Sequence, residues 1–268
     1  MIRPGTDFRD SSNPILHHSG TPIGAKPPSS DRQMFAIVIP VYNHEQSVAD
    51  VIRETLKLDI PVFVVDDGST DSTLAIIKGI RGVHVLRHHV NRGKGAAIMT
   101  GLTAVAKTAD WAITLDADGQ HYPEDAMTLI QSIPKNQRPI IVGTRKAMFE
   151  ANAPWTSRFG RGFSNFWVWV SGGPRMLDSQ SGFRIYPVSE SLNLNVKARR
   201  FQYEVEVLVK ATRSKIPIIE APVRVKYEQG PMKISHFHPF FDFLRNFGTF
   251  SRLIMQRIVD PKPTGGSS

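Results

Sequence analysis

The stretch "ITLDADGQHYP", residues 113–123, ends an apolar run in two carboxylates separated by one small residue. Aspartate is depleted in strands and costly to bury, so the pair calls for a partner. At the end of a strand, Asp116 and Asp118 can converge on one cation. Mg²⁺ and Mn²⁺ take oxygen ligands and leave positions open for water or phosphate. Asp116, Asp118 and Gln120 are therefore the candidate metal set, with Mg²⁺ or Mn²⁺ bridging a diphosphate. The competing use of such a pair is a surface turn capped by its own side chains.

Other residues of the same chemical kind are spread along the chain. "VVDDGSTDST" offers Asp67 as an acceptor for a base or ribose, while Asp71 or Ser72 can cap the helix that follows. "HVNRGKGAA" brings glycines, Lys94 and a helix start together. It lacks the G-x-x-x-x-G-K-[ST] spacing, and no G-x-G-x-x-G follows a strand, which argues against a nucleoside triphosphatase or a Rossmann dehydrogenase. The segment either brings backbone donors to a diphosphate or makes a tight turn. Arg145 and Arg184 can fork onto phosphate oxygens. Asp178 is either a general base or a brace for the "SGFR" loop. Asp178, Arg145 and Arg184 form the candidate catalytic set.

These residues need a scaffold that gathers them. From Met34 to Arg145 short β-branched runs alternate with helical patterns. Alternation of this kind predicts βαβ units and a mostly parallel sheet. "PVYNHE", "DDGSTD", "DADGQH" and "GTRK" all stand at predicted strand ends, where such sheets bind ligands. In the second half, "FQYEVEVLVKATRSK" reads as a helix, and "SGFRIYP" and "IPIIEAPVRVKY" lead into strands. Residues 1–33, rich in Pro, Ser and Gly, read as a disordered tail. Residues 34–235 are the expected catalytic domain, 236–259 an amphipathic helix and 260–268 a flexible tail.

The chain has 268 residues and is 41% hydrophobic, enough for a sizeable core. It has no cysteine, which excludes disulfides, thiolate metal sites and cysteine nucleophiles and fits a reducing compartment. The net charge of +9 suits anionic partners. No run approaches the ~20 apolar residues of a spanning helix. A cytoplasmic protein, peripheral at the cytoplasmic face of a membrane, is the expectation. No recognised nucleic-acid motif appears, so nucleic acid is not an expected partner.

In order and spacing, "IVIPVYNHE", "VVDDGSTDST", "NRGKGAA", "LDADGQH", "GTR", "DSQSGFR" and "FQYEVEVL" resemble a family-2 glycosyltransferase. The resemblance is to the dolichol-phosphate mannose synthase and polyprenyl-phosphate glycosyltransferase type. It covers roughly Phe35 to Lys226 and implies a GT-A fold: α/β, Rossmann-like, with a mixed, mostly parallel sheet flanked by helices. It implies that Pro40, Tyr42, Asn43, Glu45 and Asp67 hold base and ribose. Asp116, Asp118 and Gln120 would bind the metal, Ala117 would line the site, and Lys94 would join the donor set. Arg145, Arg184 and Lys233 would face phosphates, with Arg158 or Arg161 alongside. The synthase pattern departs at "YEQGPMK", where its Arg is missing unless Lys226 substitutes.

The implied reaction is metal-dependent, inverting transfer from a UDP- or GDP-sugar. The expected acceptor is a polyprenyl phosphate or another lipid-linked molecule. The alternative is a hydroxyl acceptor, on a glycolipid or polysaccharide, that needs a carboxylate base. A phosphate acceptor, mostly ionised at pH 7, needs cations to hold it and no base. The arginines and lysines of the second half favour the phosphate. Phe166, Trp167 and Trp169, and a stripe of Phe and Ile residues over 240–258, suit either a membrane surface or the protein's own core.

Overall fold

The computed structural model describes residues 33–145, 155–200, 202–226 and 251–255; for 155–161 and 163 only the backbone is described. The tail over 1–32, Lys233 and most of the 236–268 segment therefore lie outside the described residues.

Seven strands form one sheet in the order β3-β2-β1-β4-β6-β5-β7. They are β1 (Phe35–Val41), β2 (Val62–Asp66), β3 (Val83–Arg87), β4 (Trp111–Thr114), β5 (Ile140–Arg145), β6 (Arg184–Pro187) and β7 (Ile218–Val223). Pairings β1–β2, β2–β3, β1–β4 and β5–β7 are parallel. Only β6 runs against its neighbours, with Thr114 and Val142 both opposite Arg184. The sheet is thus mixed and mostly parallel, as expected. The reversal has a consequence for the site. The edge that collects the carboxyl ends of the other strands also collects the start of β6, which delivers the 178–183 loop beside the end of β4.

Strand periodicity explains the two-sided core, because successive side chains alternate faces. Ile37 and Ile39 point to one face, under α1 (Val48–Leu56), α2 (Thr73–Lys78) and α4 (Asp125–Gln131). Ala36 and Val38 point to the other, under α3 (Lys94–Val105), α6 (Val188–Asn193) and α7 (Gln202–Arg213). Along α1 the buried residues are Val48, Val51, Ile52 and Thr55. At α2 the cap is made by Asp71, whose Oδ1 accepts from Thr73 N at 3.0 Å, while Ser72 makes no side-chain cap bond.

Residues 155–170 form a sixteen-residue helix, α5 (Trp155–Val170). It packs Val168 against Val205 of α7 and leaves Phe166 and Trp169 about half exposed. Within the expected C-terminal helix, residues 251–255 are helical. Leu253 is buried, and its carbonyl accepts from Arg213 at 2.7 Å. Ile254, the member of the apolar stripe among these residues, is half-buried.

Candidate active site

Each strand end contributes a loop, and side chains tie the loops together. Asn43 accepts from Thr70 N at 2.8 Å, and its own N–H donates to Ser69 Oγ at 3.1 Å. Glu45 accepts from Ser72 N at 2.9 Å. Both residues thus cross-link the loops after β1 and β2. Ser47 Oγ donates to the carbonyl of Ala117 at 2.6 Å, joining the first loop to the Asp116–Asp118 loop. Pro40 is buried in β1, while Tyr42 is 41% exposed at the rim and available to stack on a planar ligand.

Asp67 is buried and fully engaged. One carboxylate oxygen takes His88 Nδ1 at 2.6 Å and Arg92 N at 3.0 Å; the other takes Gly93 N at 2.7 Å. The expected bond from a base or ribose would have to compete with these three donors. Asp67 shapes the loop ahead of α3. Gly93 N is taken by Asp67, and Ala96 N donates to Arg199 O at 2.8 Å. The helix start is a tight turn, with Gly93 at φ +98°, and these two N–H groups are already occupied.

The turn serves to aim Lys94 inward. Its Nζ lies 2.7 Å from Asp116 Oδ1 and 2.6 Å from Glu204 Oε1. Burial alone would lower the Lys94 pKa, but the two carboxylates hold it far above the usual lysine value. Burial would likewise raise Asp116, and Lys94 brings it below the usual carboxylate range. Asp118 moves the other way: burial raises its pKa, and the neighbouring Asp116 adds to the rise. Burial also pulls the His121 imidazole below its usual range, against the opposing pull of Asp116 and Asp118.

Asp118 is therefore a carboxylate whose ionisation is opposed by burial first and by Asp116 second. Among the described residues its Oδ1 accepts from Gln120 N at 3.0 Å. Among the described residues no three His, Asp or Glu side chains form a ready-made metal cage. The donor set nevertheless fits a hard divalent ion. Asp116 and Asp118 supply two carboxylates with one residue between them, and the exposed Gln120 adds an amide oxygen.

Two members of the expected catalytic set act on the framework. Arg145 grips Asp178 bidentately, Nε to Oδ2 at 2.6 Å and Nη2 to Oδ1 at 2.8 Å. Asp178 is fully buried with both oxygens engaged, so it is the brace of the two alternatives. Arg184 is a correction. It is 0% exposed, and its guanidinium donates to the carbonyls of Ser181, Ser179 and Glu204 at 2.7–2.9 Å. A guanidinium wrapped this way has no face left for a phosphate. Arg158 and Arg161 lie on the α5 backbone, and their side chains are outside the described residues.

Three further residues shape the site. Glu204 is the second anion on Lys94; its sequence signal was an acid inside the apolar stretch "YEVEVL". Glu220 accepts from Leu177 N and Asp178 N at 3.0–3.2 Å and so pins the Asp178 loop. Gly182 leaves room for the ion pair. A β-carbon there would stand 2.6 Å from Lys94 Nζ and 2.7 Å from Asp116 Oδ1. Both are ends of side chains, so Gly182→Ala is expected to leave the fold intact and displace the pair. Nucleotide affinity measured by calorimetry should fall by roughly tenfold with little change in melting temperature, an effect on the scale of overpacking a tight site. Unchanged affinity would show that the pair does not support donor binding.

The sequence pattern of Glycosyl transferase family 2 matches residues 36–189. The chain is 31% identical over 248 residues to the UDP-N-acetylglucosamine–dolichyl-phosphate N-acetylglucosaminyltransferase of Methanococcus voltae, covering 84% of this chain and 97% of that one. It is 30% identical over 240 residues to a dolichyl-phosphate beta-glucosyltransferase of Drosophila melanogaster, covering 78% and 71%. A shorter match, 37% over 107 residues, joins it to the undecaprenyl-phosphate 4-deoxy-4-formamido-L-arabinose transferase of Sodalis glossinidius, covering 36% and 32%.

Proposed function

The chain belongs to glycosyl transferase family 2, and on that premise we propose that this glycosyltransferase moves a sugar from a nucleoside-diphosphate sugar to a polyprenyl phosphate, with inversion at the sugar carbon. The relatives named above supply the acceptor class, and the Methanococcus relative makes UDP the first donor nucleotide to test. Asp116, Asp118 and Gln120 would hold Mg²⁺ or Mn²⁺. When bound, that ion neutralises charge on the departing diphosphate. Lys94 adds a fixed positive charge at the same place. Tyr42, at the exposed rim, is placed to stack on the base.

The observation that carries the acceptor assignment is the state of Asp178. A hydroxyl acceptor needs a base that can take its proton. Asp178 is buried and held on both oxygens by Arg145. A phosphate monoester, with its second pKa near ~6, is its own nucleophile at pH 7. The test is a paired assay with UDP-sugars, Mn²⁺ and either a short-chain polyprenyl phosphate or the matching polyprenol. Transfer to the phosphate alone is expected. Transfer to the free alcohol would overturn the acceptor assignment.

No helix of the described residues is long and apolar enough to cross a membrane. A lipid acceptor must then be met at a surface. Support for this comes from α5 and the loop behind it. Phe166, Trp169 and Leu177 are each 44–56% exposed, and Arg175 stacks on Trp169 at 5.0 Å. Asn165 Nδ2 donates to Leu177 O at 2.8 Å, which holds helix and loop together one residue from Asp178. Such aromatic and basic groups suit an anionic lipid interface. Phe166→Ser with Trp169→Ser is expected to weaken sedimentation with phosphatidylglycerol vesicles by about a hundredfold, since two rings at of order 1–2 kcal/mol each are lost. Unaltered sedimentation would remove this face from the membrane contact.

A further inference from the structure

The ammonium of Lys94 is shared by two carboxylates with different freedom. Glu204 is fixed: it stands in the first turn of α7, and its backbone carbonyl takes Arg184 Nη1 at 2.9 Å. Asp116 stands on a loop, and its Oδ2 has no hydrogen-bond donor among the described residues. All three side chains are largely buried, at 17% exposed for Lys94, 23% for Asp116 and 8% for Glu204. Charge neutrality of Lys94 needs one carboxylate. A second buried carboxylate carries a further desolvation cost, and that cost calls for a reason.

We propose that Lys94 is a resident counter-cation that occupies Asp116 before the donor arrives, and that Glu204 is the anchor that keeps Lys94 in place when Asp116 turns to a divalent cation. The inference rests on the donor reading above. Lys94 cannot travel far. Its helix start is tied by Gly93 N to Asp67 and by Ala96 N to Arg199, and Gly182 closes over it. Swinging from Asp116, the ammonium stays on Glu204 and still has N–H groups to offer a diphosphate oxygen.

The arrangement makes metal and nucleotide depend on each other. Without nucleotide, Lys94 competes with a divalent ion for Asp116 and repels it. Once diphosphate is present, Lys94 has another anion to face. Each ligand then raises the affinity of the other by the same factor. Glu204 and Lys94 together set that factor, although Glu204 itself touches neither ligand.

The test is titration of Mn²⁺ followed by electron paramagnetic resonance, with and without UDP. It uses the full chain, Glu204→Gln, and the double variant Lys94→Met/Glu204→Gln. The double variant has the same formal charge as the wild type but leaves Asp116 free. It is expected to bind Mn²⁺ alone about tenfold tighter, and the enhancement by UDP should fall by a similar factor, within the usual range of coupling. Glu204→Gln leaves Lys94 with Asp116 as its one carboxylate partner and should bind Mn²⁺ alone more weakly than wild type. These opposite directions cannot both arise from misfolding. Unchanged Mn²⁺ affinity in either variant would overturn the proposal. Wild type that binds no Mn²⁺ even with UDP present would instead overturn the donor reading, and this inference with it.

Discussion

Replacing Asp118 with alanine is expected to abolish metal-dependent donor binding and to lower kcat/KM by about a thousandfold, while leaving the melting temperature near or above that of the wild type. The activity loss is the size seen when one fixed electrostatic contact to a departing group is removed, ~3–4 kcal/mol in the transition state. The stability expectation follows from the site itself. Asp118 is a half-buried carboxylate whose ionisation is opposed by burial and by Asp116, and its bond among the described residues is local, to Gln120 N. Folding gains little from such a group. Removing it relieves repulsion with Asp116, so stability should hold or rise. Calorimetry of UDP and GDP with Mn²⁺, beside a thermal melt, reads both quantities. Retained binding and transfer would remove Asp118 from the metal set. A large drop in melting temperature would show that it is structural.

Arg184→Met should do the opposite. The side chain is 0% exposed and satisfies the carbonyls of Ser179, Ser181 and Glu204. Methionine fills similar space but leaves these acceptors without donors in a low-dielectric interior. Each unsatisfied group costs about 1–3 kcal/mol, and breaking a buried charged network costs about 3–5 kcal/mol in all. Urea unfolding should reveal a loss of that size. The folded fraction should keep its nucleotide affinity within about twofold, apart from any slackening of Glu204. If stability is unchanged while nucleotide affinity collapses, Arg184 reaches the phosphates and its framework role is wrong.

The contrast between these two residues marks what could be read from the chain. Strand–helix alternation and the polar motifs at strand ends were legible, because hydrophobic periodicity and turn chemistry are local. They suffice to place Asp116, Asp118 and Gln120 on the ligand-binding edge of a mostly parallel sheet. The helix α5 was not legible, since its run of aromatic residues over two basic ones has no clear face until α7 is beside it. The same holds for the arginines and for Asp178. Nothing in "DSQSGFR" tells whether a guanidinium points to solvent, to ligand or to carbonyls.

That choice is made by β6. Its reversed direction brings the 178–183 loop against the end of β4, buries Arg184 within that loop and sets Asp178 against Arg145. Asp67 followed the same rule. Its chemistry as an acceptor was apparent, but its partners, His88 and the N–H groups of Arg92 and Gly93, lie 21 to 26 positions away. Residue types and spacing determined which groups could act and on which edge of the sheet. Tertiary structure decided which of them bond to the protein and which stay open to a ligand. A charged side chain takes whichever partner the fold brings near once water is excluded, and contacts between distant segments cannot be read from local pattern.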